Sequence, residues 1–151
     1  YGDTRFVVLD CGEDKPDDHW VYYGLNDFSQ YRKDQLDFLY KEQKSKEFKK
    51  AKKRVLLHHI PIFGENQNNN NPCKEIWVPT LAKGKYDVSI NAHTHKFEYI
   101  PKNEKNNKYP VIIGGGSNEN SATVMILKKE GTVLTLQTLN TKGESMLNLN
   151  L

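Results

Sequence analysis

"RVLLHHIPIFG" (residues 54–64) decides the fold: Val55, Leu56 and Leu57 form an unbroken aliphatic run, two histidines follow at once, and Pro61 ends it. Consecutive rather than alternating apolar positions suit a strand covered on both faces, as in a parallel sheet between other layers. Upstream, "RFVVLD" (5–10) is a second short apolar run, and it opens into the acidic, turn-rich "CGEDKPDD" (11–18). Between them Leu36, Leu39 and Tyr40 recur one helical turn apart, with Phe48 and Ala51 further on, so a helix is expected from Asp34 to about Lys50. Strand, helix, strand is the rhythm of a βαβ unit.

Downstream, "ENQNNNNP" (65–72) is too polar to pack and reads as a surface loop. "CKEIWVPTLAKG" (73–84) reads as a short helix limited by Pro79 and stopped by Gly84. "YDVSINA" (86–92) is the next strand, followed by "KFEYI" (96–100), a polar loop to Lys108, "YPVIIGGG" (109–116), "ATVMILKKE" (122–130) and "TVLTLQTLN" (132–140). The last two join through a tight turn near Gly131, as in a hairpin. The first half is thus α/β, and the second is a run of mostly antiparallel strands.

The composition narrows the function classes. With 151 residues, 36% hydrophobic and 27% charged, and a net charge of +3, the chain is expected to fold as a single soluble piece. The lysine-rich stretch 41–54 alternates Lys with Glu and Gln in a helical context, so it reads as a solvated face and gives no specific nucleic-acid or membrane signal. No apolar run approaches the ~20 residues that cross a bilayer. The first residues lack the plan of a signal peptide, and a strand beginning at Arg5 suggests a chain cut from something longer. Cys11 and Cys73 stand far apart and match no C-x-x-C pattern, so neither a disulfide framework nor a zinc knuckle is expected.

The chemistry gathers at strand ends. His93 and His95 directly follow the strand 86–92, and on extended backbone residues i and i+2 project to one side, within reach of one metal or two adjacent metals. His58 and His59 end another apolar strand, and α/β sheets collect ligands at the C-terminal edge of their strands. Hydrogen-bonded histidines with no ligand are the alternative for each pair taken alone. Two strands delivering histidine to one edge favour a site.

An apolar strand ending in His-His with a nearby proline, then some thirty residues later a strand ending in Ala92-His93-Thr94-His95, resembles the calcineurin-like metallophosphoesterases. The resemblance spans nearly the whole chain, with "RFVVLD", "QYRKDQLDFLYKE" and "YPVIIGGG" in matching order. It implies the C-terminal half of a four-layer αββα sandwich, with residues 1–151 as one piece. It further implies that His58 binds one metal of a dinuclear pair, with His59 as the alternative, that His93 shares that metal, and that His95 binds the other. Alanine at 92 replaces the family's glycine. The motifs of the family's first half, Asp-x-His, Gly-Asp-x-x-Asp and Gly-Asn-His, do not occur; "GDTRF" (2–6) begins like the second but has Phe6 at the bridging aspartate's place.

The resemblance therefore implies a phosphomonoesterase or phosphodiesterase whose complete domain holds two divalent or trivalent ions (Mn, Fe or Zn). This chain would supply histidines, and the missing N-terminal half of the same protein the carboxylates. Neutral imidazoles bring no charge to hold two cations together, so the isolated chain is expected to bind at most one metal and to lack activity. Asp10, at the same sheet edge, and His19, in the loop beyond it, are weaker candidates, with His59, for supporting a ligand or touching substrate. "GGGSNEN" (114–120) precedes a strand rather than a helix and reads as a turn beside the site, not a phosphate loop. Two rivals stand: a non-catalytic binding or structural module derived from the fold, and a mononuclear zinc site of His58, His93 and His95. A half-sandwich would leave a strand edge open, which admits a homodimer of the fragment. The sequence assigns no compartment; the family analogy admits a secreted or periplasmic parent.

Overall fold

The computed structural model describes residues 1–64, 73–103 and 105–151. The elements are β1 (Thr4–Val8), α1 (Ser29–Lys44), α2 (Lys46–Lys50), β2 (Lys53–Leu57), α3 (Cys73–Leu81), β3 (Val88–Asn91), β4 (Glu98–Ile100), β5 (Val111–Ile113), β6 (Thr123–Glu130), β7 (Val133–Asn140) and β8 (Ser145–Asn150). A single 3-10 turn, Trp20–Tyr22, lies in the long β1–α1 connection.

Five strands form a mixed sheet in the order β1-β2-β3-β5-β4. The first four run parallel, and β4 pairs antiparallel on the outer side of β5. β6, β7 and β8 form a separate antiparallel sheet. The mixed α/β class with an antiparallel end is thus present as the sequence suggests. The β6–β7 turn holds only Gly131 and Thr132, because Glu130 pairs with Val133.

The continuous apolar run in β2 is explained by its two neighbours. Leu56 belongs to a core with Val7, Leu39, Phe48, Trp77, Leu81 and Val111, under the helices. Val55 belongs to a second core with Val88, Ile112, Leu134 and Leu136, between the two sheets. Alternate residues point to opposite faces, so a strand inside a layered stack must be apolar on both. Three layers result: helices, mixed sheet, antiparallel sheet. Among the described residues no helix covers the outer face of the antiparallel sheet, where Val124, Ile126 and Val133 are exposed.

Several expected boundaries shift. The helix expected over 34–50 starts earlier, at Ser29, and breaks at Ser45. Ser45 adopts extended backbone (ψ 154°) and its hydroxyl accepts a bond from the Phe48 amide at 3.0 Å, so it ends one helix and caps the next. The start at Ser29 lacks a side-chain cap from Phe28. Instead Asp27 accepts from the Ser29 amide at 3.0 Å, and Arg32, buried one turn in, pairs with Asp17. Pro79 stays inside α3. β8 has no counterpart in the sequence reading, and the loop expected at 65–72 lies outside the described residues.

Candidate active-site edge at the ends of β1, β2 and β3

Parallel pairing brings the C-terminal ends of β1, β2 and β3 to one edge. The ladder continues one step past the strands: the Leu9 amide donates to the Leu57 carbonyl and the Ala92 amide to the His59 carbonyl, each at 2.9 Å. Residues following the strands are therefore fixed in register too.

His58 and His59 separate sharply. His58 is only 7% exposed and turns into the protein. Its Nδ1 lies 2.8 Å from the Ile60 carbonyl, which can only accept, so Nδ1 carries the proton and Nε2 keeps a lone pair. That lone pair faces the Ser89 hydroxyl at 3.3 Å, while the same hydroxyl donates to Asn91 Oδ1 at 2.9 Å; one proton serves two acceptors. Asn91 in turn donates to the His58 carbonyl at 2.7 Å. Burial pushes the His58 pKa down to about 4, so the ring is neutral at physiological pH.

His59 points outward and meets His93, with ring centroids 5.2 Å apart and planes nearly perpendicular. His93 Nε2 stands 3.4 Å from Asp14 Oδ2, at the long end of hydrogen-bonding reach. Asp14 comes from the loop after β1, so three successive strand ends each contribute one group. Partial burial opposes ionisation of Asp14, but Lys15, at 2.7 and 2.8 Å, together with His93 outweighs it and holds the carboxyl below its usual range. Tyr22 extends the chain of contacts, its hydroxyl donating to Asp14 Oδ1 at 3.4 Å. Asp14 was missing from the sequence candidates, although it lies in the acidic loop at the C-terminal end of β1, where the sheet-edge rule directs attention.

The His-x-His segment differs from its expected conformation. The spacing argument assumed extended backbone, but β3 ends at Asn91, and His93 and His95 both take left-handed conformations (φ 68° and 59°). Alternation no longer governs where their rings point. His95 is exposed, and its backbone packs against Gly116, where an added Cβ would lie 3.1 Å from the His95 carbonyl oxygen and 3.2 Å from its Cβ. The glycine stretch thus adjoins the histidine turn and lets it approach closely. Ala92 does not take positive φ.

The weaker candidates have structural partners. Asp10 accepts from the Gly12 amide and the Tyr31 hydroxyl, each at 3.1 Å, bracing the loop against α1. His19 caps the 3-10 turn, its Nδ1 accepting from the Val21 amide at 3.3 Å, and packs against Trp20 and Tyr22. It adjoins the Asp14 cluster through Tyr22 only.

As a metal site this donor set is incomplete. Among the described residues no group of three or more His, Cys, Asp or Glu side chains is arranged to hold a metal ion. His58 is committed to Ile60 and Ser89. What remains on the surface is two imidazoles and a carboxylate, able to bind an anionic oxygen or exchange a proton with one.

The architecture defines a mixed α/β protein with histidines gathered at parallel strand ends. No protein-family model matches the chain, and no curated protein matches it by sequence. Among solved structures, GAP50, the anchor in the inner membrane complex of Plasmodium, superposes on 98% of this chain with a TM-score of 0.57 and 17% identity. The likeness is one of fold, and the chain spans 49% of that structure's length. A conserved Streptococcus pneumoniae protein, itself a predicted phosphoesterase, is a distant neighbour at 8% identity, over 97% of this chain and 95% of that one. Its TM-score is 0.37, too low to carry a functional argument.

Proposed function

We propose that this chain supplies the histidine edge of a metal-dependent phosphoester hydrolase acting on phosphomonoesters or phosphodiesters. The observation that carries the reading is the meeting of Asp14, His59 and His93 at the ends of three adjacent parallel strands. The order of the sequence motifs supports it. In this reading the ligand from the β2 end is His59, since the His58 ring is buried, with its Nδ1 proton given to the Ile60 carbonyl and its Nε2 facing Ser89. His59 and His93 would supply imidazole ligands, and Asp14 fixes the His93 ring. The described residues do not complete a metal site, so two ions (Mn, Fe or Zn) require carboxylates from elsewhere in the protein.

The test is metal analysis of the full-length protein together with hydrolysis of p-nitrophenyl phosphate and bis-p-nitrophenyl phosphate. Two bound ions with turnover are expected, whereas residues 1–151 alone bind at most one ion and turn over little. Full-length protein with neither metal nor turnover would reject the reading. It would favour a non-catalytic module, the second reading, which draws on the lack of any three-donor group among the described residues and on a fold shared with an anchor protein. One zinc with turnover in residues 1–151 would point to a mononuclear site instead.

A further inference from the structure

Cys11 and Cys73, the only cysteines in the chain, are far apart in sequence yet share one core. Cys11 follows β1 at the root of the loop that carries Asp14, and Cys73 is the first residue of α3. Both are buried as free thiols in that core, where each is the strongest influence on the other's ionisation, and Cys11 Sγ also lies 4.0 Å from the Glu13 carbonyl. Arg32 of α1 braces both sides of this contact. Its Nε donates to the Cys11 carbonyl at 3.0 Å, while its own carbonyl accepts from Trp77 Nε1, one turn into α3, at 3.1 Å. Gly12 locks the backbone next to Cys11: it has φ +75°, and an added Cβ would lie 2.5 Å from the Phe28 ring.

We propose that Cys11 and Cys73 form an intramolecular disulfide that clamps the Asp14-bearing loop to the start of α3. The reaction is thiol–disulfide exchange with a small or protein disulfide as oxidant. One cysteine thiolate attacks the oxidant, forming a mixed disulfide and releasing one thiol; the other cysteine then displaces the second thiol. The cysteines lose two electrons and two protons, and the oxidant's disulfide is reduced to two thiols. Because both thiols are buried, exchange occurs during folding or local opening.

The bond ties the loop to α3 independently of any chemistry at the histidines. If the hydrolase reading is right, it also fixes Asp14 beside His93. The test is to equilibrate the full-length protein with oxidised and reduced glutathione, then measure intact mass, map the 11–73 linkage by peptide mass, and titrate thiols in denaturant. The expected result is a mass lower by two hydrogen atoms, an 11–73 linked peptide and no thiol titrating from either residue. Closing a loop of about 60 residues should also raise Tm by roughly 5–15 °C over the reduced form, a gain lost in Cys11→Ser and Cys73→Ser. Two free thiols under oxidising glutathione, or glutathione attached separately to each cysteine, would overturn the proposal. Neither readout depends on phosphoester turnover, so the two proposals fail separately.

Discussion

At the residue scale, the two adjacent histidines have opposite roles, and pH separates them. Unfolded, His58 takes up its proton near pH 6.5; folded, burial keeps it neutral down to about pH 4. Between these values the unfolded chain binds the extra proton, so stability falls as pH drops through this window, while above it both states leave the ring neutral and stability no longer depends on it. The loss reaches about 3 kcal/mol at its limit. Urea unfolding at pH 7.5, 5.5 and 4.5 should show it in the parent protein and not in His58→Gln; equal slopes in both would mean that His58 is not held neutral. For activity, His59→Ala and His93→Ala in the full-length protein should each lower kcat/KM for p-nitrophenyl phosphate by about 100-fold or more. The histidine pairs were legible as a shared strand-end feature, because an apolar run followed by polar residues marks that edge. Which member of His58-His59 faces outward was not legible, since it depends on the Ile60 carbonyl accepting from Nδ1 of the inward ring and on the Ser89 hydroxyl facing its Nε2. The left-handed turns at His93 and His95 were equally hidden, since only a few per cent of non-glycine residues take positive φ and no glycine marks the turn.

At the element scale, α1 organises the loop that brings Asp14 to the site. Arg32 is buried, binds both Asp17 oxygens through Nη1 at 3.0 and 3.1 Å, and holds the Cys11 carbonyl. Arg32→Met should therefore destabilise the protein by about 3 kcal/mol, because it leaves Asp17 without its buried partner. It should also open residues 12–18 to limited proteolysis. Arg32→Lys should rescue only part of the loss, since an ammonium lacks the fork that reaches Asp17 and Cys11 together. Protection of the loop in Arg32→Met would show that another contact holds it. The βαβ rhythm was legible from apolar periodicity, but the true start of α1 was not. Its usual signal, a capping side chain, is absent at Phe28, and tertiary contacts through Asp17 and Arg32 replace it. β8 and Leu151 after it carry the pattern of a strand covered on one face, Leu147, Leu149 and Leu151 alternating with Asn148 and Asn150, so it too was legible, past the last strand read from the sequence.

At the scale of the whole molecule, each sheet ends on two edge strands among the described residues, β1 and β4 in the mixed sheet and β6 and β8 in the antiparallel one, and two of these edges lie side by side. β1 ends the mixed sheet and β6 ends the antiparallel one, and Thr4, Phe6, Leu127 and Leu134 line a common cleft of about 400 Å³ between them. Phe6 and Val8 remain 39% and 61% exposed on β1. An open edge with apolar side chains invites strand addition, so residues 1–151 alone should self-associate with rising concentration, and Val8→Lys should reduce this in sedimentation experiments. Concentration-independent monomer in unsubstituted residues 1–151 would remove the edge from consideration. The α/β class and the antiparallel tail could be read from the pattern of apolar runs. The approach of Cys11 to Cys73 could not, because only the packing of the β1 loop against α3 creates it.

The single hydrogen bond from the Ala92 amide to the His59 carbonyl also makes the histidine edge observable without any substrate. Separating the ends of β2 and β3 breaks that bond, so deuterium uptake at one backbone position becomes a clock for the opening of the edge. Any ion or phosphate that bridges His59 and His93 must slow this clock by the free energy with which it binds the closed form.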